Sequence, residues 1–224
     1  MYRFKLTATG ITSVFAHRDD VVAADKVEEW RKQPENKNAK KGDDRYPGWT
    51  WKTYLYYSED KDNLIGLPIG NLMAALKKGG VEFSLQSSRK SLKAASQTTI
   101  RISSPFLPIA LHNKVVLTGD DIDAIDGNLP FDEQQDLAKK IGFVIDCRRA
   151  TVGAAKHVRC RPKFLPGWTF DVEGLVTDEH KIPKKTFVDL FTLVGDQVGV
   201  GDWRPGAPKS PGTHGRFTVD VDFI

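Results

Sequence analysis

Two runs of this sequence concentrate positive charge without a compensating carboxylate. From Cys147 to Phe170 there is no Asp or Glu, while Arg148, Arg149, Lys156, His157, Arg159, Arg161 and Lys163 are present. From Phe83 to Gly119 the acids are again missing, and Arg89, Lys90, Lys93, Arg101 and Lys114 remain. Cationic side chains gathered on one surface attract phosphate oxygens, and arginine forks match their geometry. A third run, VGVGDWRPGAPKSPGTHGRF, sets Gly199, Gly201, Gly212 and Gly215 around Trp203, Arg204 and Arg216. Glycine lets backbone N–H groups approach an anion, and a flat ring can stack on a base. A fourth, HRDD, puts His17 and Arg18 beside Asp19 and Asp20. Adjacent carboxylates can hold a metal, and a histidine near a hydroxyl can act as a general base. The plainer role for one of these aspartates is to cap the helix that follows. His112, His157, His180 and His214 show no metal-ligand spacing, so no metal site and no cofactor is expected.

Elements must position these groups. Tyr2, Phe4 and Leu6 alternate with Arg3, Lys5 and Thr7, the period of a half-buried strand. VVAADKVEEW reads as a short helix after HRDD, WTWKTYLYY (Trp49 to Tyr57) as an aromatic strand, and Pro68 to Lys78 as a helix with lysines in its last turn. Gly153-Ala154 suits a two-residue hairpin turn between two basic strands, which sets Arg148 opposite Arg159, Asp146 opposite Arg161 and Cys147 opposite Cys160. Like charges directly opposed repel unless an anion lies over them, so this register argues for bound phosphate. Trp168 to Val176 reads as a strand, Pro183 to Val198 as a helix, and Arg216 to Phe223 as a final strand. With Tyr2 to Thr9, the 68–78 helix and the strand Phe143 to Thr151, the order is βαββαβ. That α+β order is the ferredoxin-like arrangement used by RNA-recognition-motif domains, interrupted by two large insertions, about 21–63 and about 81–142.

At 224 residues and 40% hydrophobic composition the chain can bury a substantial core, and its net charge of +4 is mildly basic. Two cysteines exclude a disulfide scaffold and a four-thiolate zinc site. They are expected as small core-facing thiols in a reducing compartment. No run of about 18 apolar residues is present, which predicts a cytoplasmic protein with no membrane partner. No P-loop, G-x-S-x-G or CxxC occurs, and GVGDWRP follows a helix where a dinucleotide fingerprint would follow a strand.

The loop GVGDWRP…GTHGRF between the last helix and last strand resembles the glycine-rich loop of the RAMP superfamily, the RNA-recognition-motif-derived proteins of CRISPR effector complexes. ITSVFAHRDD after the first strand, LIGLPIGNLMAAL, and RR…RCRPKF agree in order and kind. The DWRP and the long bridge to GTH depart from the commonest form of the loop and leave the subfamily open. The resemblance implies a single RAMP-like domain over residues 1–224, most like the backbone subunits that coat guide RNA. Such a subunit binds single-stranded RNA (DNA being the variant) without cleaving it, oligomerises along it, and joins other subunits in an antiviral ribonucleoprotein. Gly199, Gly201, Gly212 and Gly215 would approach phosphates, with Arg204 and Arg216 pairing to them. Arg18, Arg89, Lys90, Lys93, Arg148, Arg149, His157, Arg159, Arg161, Lys163 and Trp203 complete the expected nucleic-acid surface. Two alternatives stand beside it: an endoribonuclease of the same superfamily, metal-dependent or using a general base, with His17, Asp19 and Asp20 as the catalytic candidates, and a viral or mobile-element assembly module whose basic faces dock acidic surfaces such as Asp120 to Asp136.

Overall fold

The computed structural model describes residues 1–60, 62–86, 88–152 and 155–224. In chain order the first half carries β1 (Tyr2–Gly10), β2 (Val14–Phe15), α1 (Val21–Lys32), β3 (Tyr56–Tyr57), β4 (Ile65–Pro68), α2 (Ile69–Gly79), α3 (Lys93–Thr98), β5 (Ile100–Ile102) and β6 (Phe106–Pro108). The second half carries α4 (Gly119–Asp123), α5 (Phe131–Ile141), β7 (Phe143–Val152), β8 (Ala155–Phe164), β9 (Thr169–Val176), α6 (Lys184–Leu193) and β10 (Phe217–Phe223), with a π-helical turn, Val194–Val198, continuing α6. The fold is mixed α+β, and its sheets are antiparallel.

The alternation predicted for β1 decides its environment. Tyr2, Phe4, Leu6 and Ala8 are buried, and Arg3, Lys5, Thr7 and Thr9 face outward. β1 pairs with β10 on one side and β9 on the other, and β9 pairs with β5, giving the order β10-β1-β9-β5. α6 covers the buried face, with the Phe187 ring 4.6 Å from Phe4 and 4.6 Å from Phe191. Gly79, at the end of α2, faces Leu190, Leu193 and Val194, where a side chain would collide. Aromatic rings packed tilted or edge-on supply large apolar area together with favourable ring geometry. A second sheet has the order β2-β8-β7 and a third β3-β4-β6.

Three expectations change here. The strand Phe143 to Thr151 does not enter the four-stranded sheet. It is β7, paired along its length with β8, and the place beside β9 is taken by Ile100–Ile102, which lies within the segment read as the second insertion. A full hairpin ladder between neighbours in sequence outcompetes a distant edge. Trp49 to Tyr57 is a 3-10 helix over Thr50–Tyr54 followed by the two residues of β3. Its aromatics are anchors: Trp51 is fully buried, and its indole N–H donates to Gln134 Oε1 at 2.7 Å. Cys147 and Cys160, expected as thiols, form a disulfide, because the register places them directly opposite with Cα atoms 4.1 Å apart. The register itself is the expected one, with Arg148 opposite Arg159 and Asp146 opposite Arg161; the proposed turn at Gly153-Ala154 lies outside the described residues. Among the described residues no helix is long and apolar enough to cross a membrane.

Phe187 touches Tyr2, Phe4, Phe191 and Phe223. Phe187→Ala is therefore expected to cost about 3–5 kcal/mol, read as a lowered urea midpoint at unchanged slope.

Candidate functional site

β8 is the scaffold of the charged region. One edge pairs with β7; the other is covered by β2, at Phe164 and Lys163, and by the segment 42–44, where Asp44 N–H donates to Val158 O and Val158 N–H to Gly42 O. Alternation places Arg159, Arg161 and Lys163 of β8 on the same face as Asp146 and Arg148 of β7. The repulsion foreseen between Arg148 and Arg159 is relieved inside the chain. Arg148 makes a two-pronged pair with Asp146, at 2.6 and 2.8 Å, and Lys163 approaches the same carboxylate at 3.6 Å. Arg159 turns the other way, to Asp44 at 3.1 Å. Asp44, almost fully buried, also accepts from Tyr54 Oη at 2.8 Å and from the Cys160 amide at 3.2 Å. A buried carboxylate needs such donors. Arg161, itself buried, pairs with Asp202.

The C-terminal loop closes over this face. Gly199, Gly201 and Gly215 all have left-handed backbones, and a side chain on Gly215 would overlap the Val200 carbonyl. Of the four glycine amides expected to meet phosphates, three are engaged by the protein: Gly199 N–H donates to Val194 O, Gly212 N–H to Arg204 O and Gly215 N–H to Ser13 O. Arg216 pairs with Asp196, and Arg204 Nη1 donates to Gly201 O at 2.7 Å. These glycines and arginines shape the loop, and its half-buried Trp203 packs against the charged face. Held at φ 57°, it sits with its ring near His214 and Phe15. The guanidinium carbons of Arg148 and Arg161 lie 5.5 and 5.4 Å from its centroid. Beside it opens a cleft of about 500 Å3, lined by Arg148, Arg149, Arg161, Asp202, Trp203 and Lys209. Among the described residues the Nε of Arg161 is buried with no hydrogen-bond partner.

A second cleft, of about 340 Å3, lies between α1 and the hairpin. His17, Arg18, Tyr54, His157 and Arg159 line it. His17 stacks on Tyr54 with centroids 4.8 Å apart, and its Nδ1 lies 3.6 Å from Asp202 Oδ2. Asp202 thus faces Arg161 and His17 at once. Of the two candidate aspartates, Asp20 is the N-cap of α1, accepting from Ala23 N–H at 3.1 Å, and it also pairs with Arg18 at 3.3 Å. Asp19 is exposed on the rim. Among the described residues no group of three or more His, Cys, Asp or Glu side chains could hold a metal ion.

Arg89, Lys90 and Lys93 are exposed at the start of α3 and line no part of the Trp203 cleft. The open face of the four-stranded sheet is not a stacking platform. It presents Arg3, Lys5, Thr7 and Thr9 beside Asp171, Glu173, Asp220 and Asp222, with Lys5 paired to Glu173 at 2.8 Å. Asp44 and Asp202 escaped the sequence reading; Asp202, adjacent to Trp203 in GDWRP, was the visible clue. No protein-family model matches the chain, and no curated protein matches it.

Burial pushes the Tyr54 hydroxyl up to about 12, with the Asp44 carboxylate adding to it. Burial also holds His17 below its ordinary 6.5, partly offset by Asp202, and does the same to His214 beside Arg148 and Lys163. As pH falls through 6.5, the unfolded chain takes up protons that the folded one refuses. The stability contributed by these neutral imidazoles is therefore complete above 6.5 and declines below it. The urea midpoint is expected to fall between about pH 7 and pH 5, and to fall less in His17→Gln.

Proposed function

We propose that this chain is a single-strand nucleic-acid-binding protein, a RAMP-like subunit that holds RNA without cleaving it and assembles along it in a CRISPR-type effector complex. The observation that carries the proposal is the Trp203 cleft. It joins the half-buried Trp203 ring to Arg148, Arg149 and Lys209, an arrangement suited to stacking an unpaired base while these cations meet its flanking phosphates. The sheet order β10-β1-β9-β5, with α2 between β1 and β5 in sequence and α6 between β9 and β10, supports the ferredoxin-like reading of the core on which the resemblance rests. The mixed charge and lack of rings on the open sheet face argue that RNA is held at the hairpin and C-terminal loop.

A second reading is favoured by one contact. His17 Nδ1 lies 3.6 Å from Asp202 with no hydrogen bond among the described residues, and an imidazole near a carboxylate is a group that could act as a general base on a ribose 2′-hydroxyl without a metal. Labelled RNA recovered intact after incubation with the protein supports the non-catalytic proposal; cleavage that disappears in His17→Ala replaces it with the nuclease.

Binding is read by fluorescence anisotropy of labelled single-stranded RNA, with DNA of the same sequence as the comparison. Arg148→Ala, Arg149→Ala and Lys209→Ala are each expected to weaken binding similarly across sequences and to lower the slope of log affinity against log salt by about 0.7 per lost phosphate contact. Trp203→Ala is expected to weaken binding by about 1–3 kcal/mol. Affinity unchanged in all four variants sinks the proposal.

A further inference from the structure

We infer that a second cationic cleft, between α2 and the start of α3, continues the path of the Trp203 cleft, so that one nucleic-acid strand lies across both. This rests on the nucleic-acid reading above and adds a second contact surface and a minimum strand length. The cleft encloses about 480 Å3 and is lined by Lys77, Lys90, Ser91, Lys93, Ala94 and Gln97. Three lysines and no carboxylate line it, and all three lysines are exposed. Among the described residues none of them forms an ion pair, whereas the arginines of the hairpin, Arg148, Arg159 and Arg161, are held by carboxylates. Unpaired lysines on an acid-free surface are point charges for phosphate. With no ring in its lining, this cleft takes the sugar-phosphate backbone and carries no base readout.

One hydrogen bond ties the end of α2 to the loop beside the Trp203 cleft. Lys78, next to Lys77 at the end of α2, donates from Nζ to the Gly206 carbonyl at 2.9 Å. Gly206 precedes Ala207, Pro208 and Lys209, which line the Trp203 cleft. The last turn of α2 therefore abuts the loop that carries Trp203. A base held at Trp203 leaves its neighbours' phosphates to continue past Lys209 toward Lys77.

The test compares labelled oligouridines of about 6 and about 20 nucleotides, lengths that bracket one and more than one contact site, on the full chain. Wild type is expected to bind the longer strand more tightly. Lys77→Ala/Lys90→Ala/Lys93→Ala is expected to cut the longer strand's affinity about tenfold or more at low salt, and to lower its salt slope by about 0.7 per lysine. The shorter strand should keep its affinity in that variant and lose it in Trp203→Ala. If the triple variant binds the longer strand like wild type while Trp203→Ala still weakens the shorter one, the path is wrong and the Trp203 site stands. If neither strand binds wild-type protein, both fall. If the triple variant instead changes only self-association in the absence of nucleic acid, the lysines face an acidic protein surface and the inference is overturned.

Discussion

The charged hairpin can exist because carboxylates separate its arginines. Directly opposed guanidinium groups on paired strands repel, and the register of β7 and β8 leaves Arg148 and Arg159 no other arrangement. Asp146 holds one, and Asp44, delivered by a segment over a hundred residues upstream, holds the other. Asp202, from the C-terminal loop, holds Arg161. The rest of the region follows from these attachments. Asp44 draws the 42–44 segment onto the free edge of β8, and Asp202 draws down the loop that carries Trp203. Removing one partner of such a pair leaves a buried charge without compensation, which is why the order of this region depends on them.

The attachments also divide the positive charge by use. Arg159 and Arg161 are committed to carboxylates in buried or half-buried positions and stiffen the scaffold. Arg149, Lys209 and the α2–α3 lysines are exposed. Arg148 lies between these groups, paired to Asp146 yet turned toward the face of Trp203. A guanidinium with its carboxylate below and an aromatic face beside it is held at a defined angle, so a phosphate meets a preset donor rather than a mobile chain.

Local patterns carried a large part of this structure. The alternation in β1, the helices from Val21 and from Lys184, and the residue-by-residue register of the basic hairpin all follow from short-range rules of period and pairing. The long-range partners did not show. Counting acids between Cys147 and Phe170 describes a strand pair in isolation, and Asp44 and Asp202 enter it only once the chain has folded. The same limit explains β5: three residues of no unusual composition join the sheet because β9 leaves an open edge, while Phe143 to Thr151, a better strand by composition, is consumed by its neighbour. The glycines of the C-terminal loop were legible as tight turns, but a positive φ does not say whether the amide freed by it meets an anion or a carbonyl. Here Gly199, Gly212 and Gly215 meet carbonyls.

Asp202 has two neighbours, the Arg161 guanidinium in the Trp203 cleft and the neutral His17 imidazole in the cleft beside α1. A single carboxylate shared in this way links the two clefts thermodynamically. Any anion that draws Arg161 away leaves Asp202 to His17 alone and raises the imidazole's affinity for a proton; by reciprocity, a proton on His17 loosens the hold on Arg161 and favours that anion.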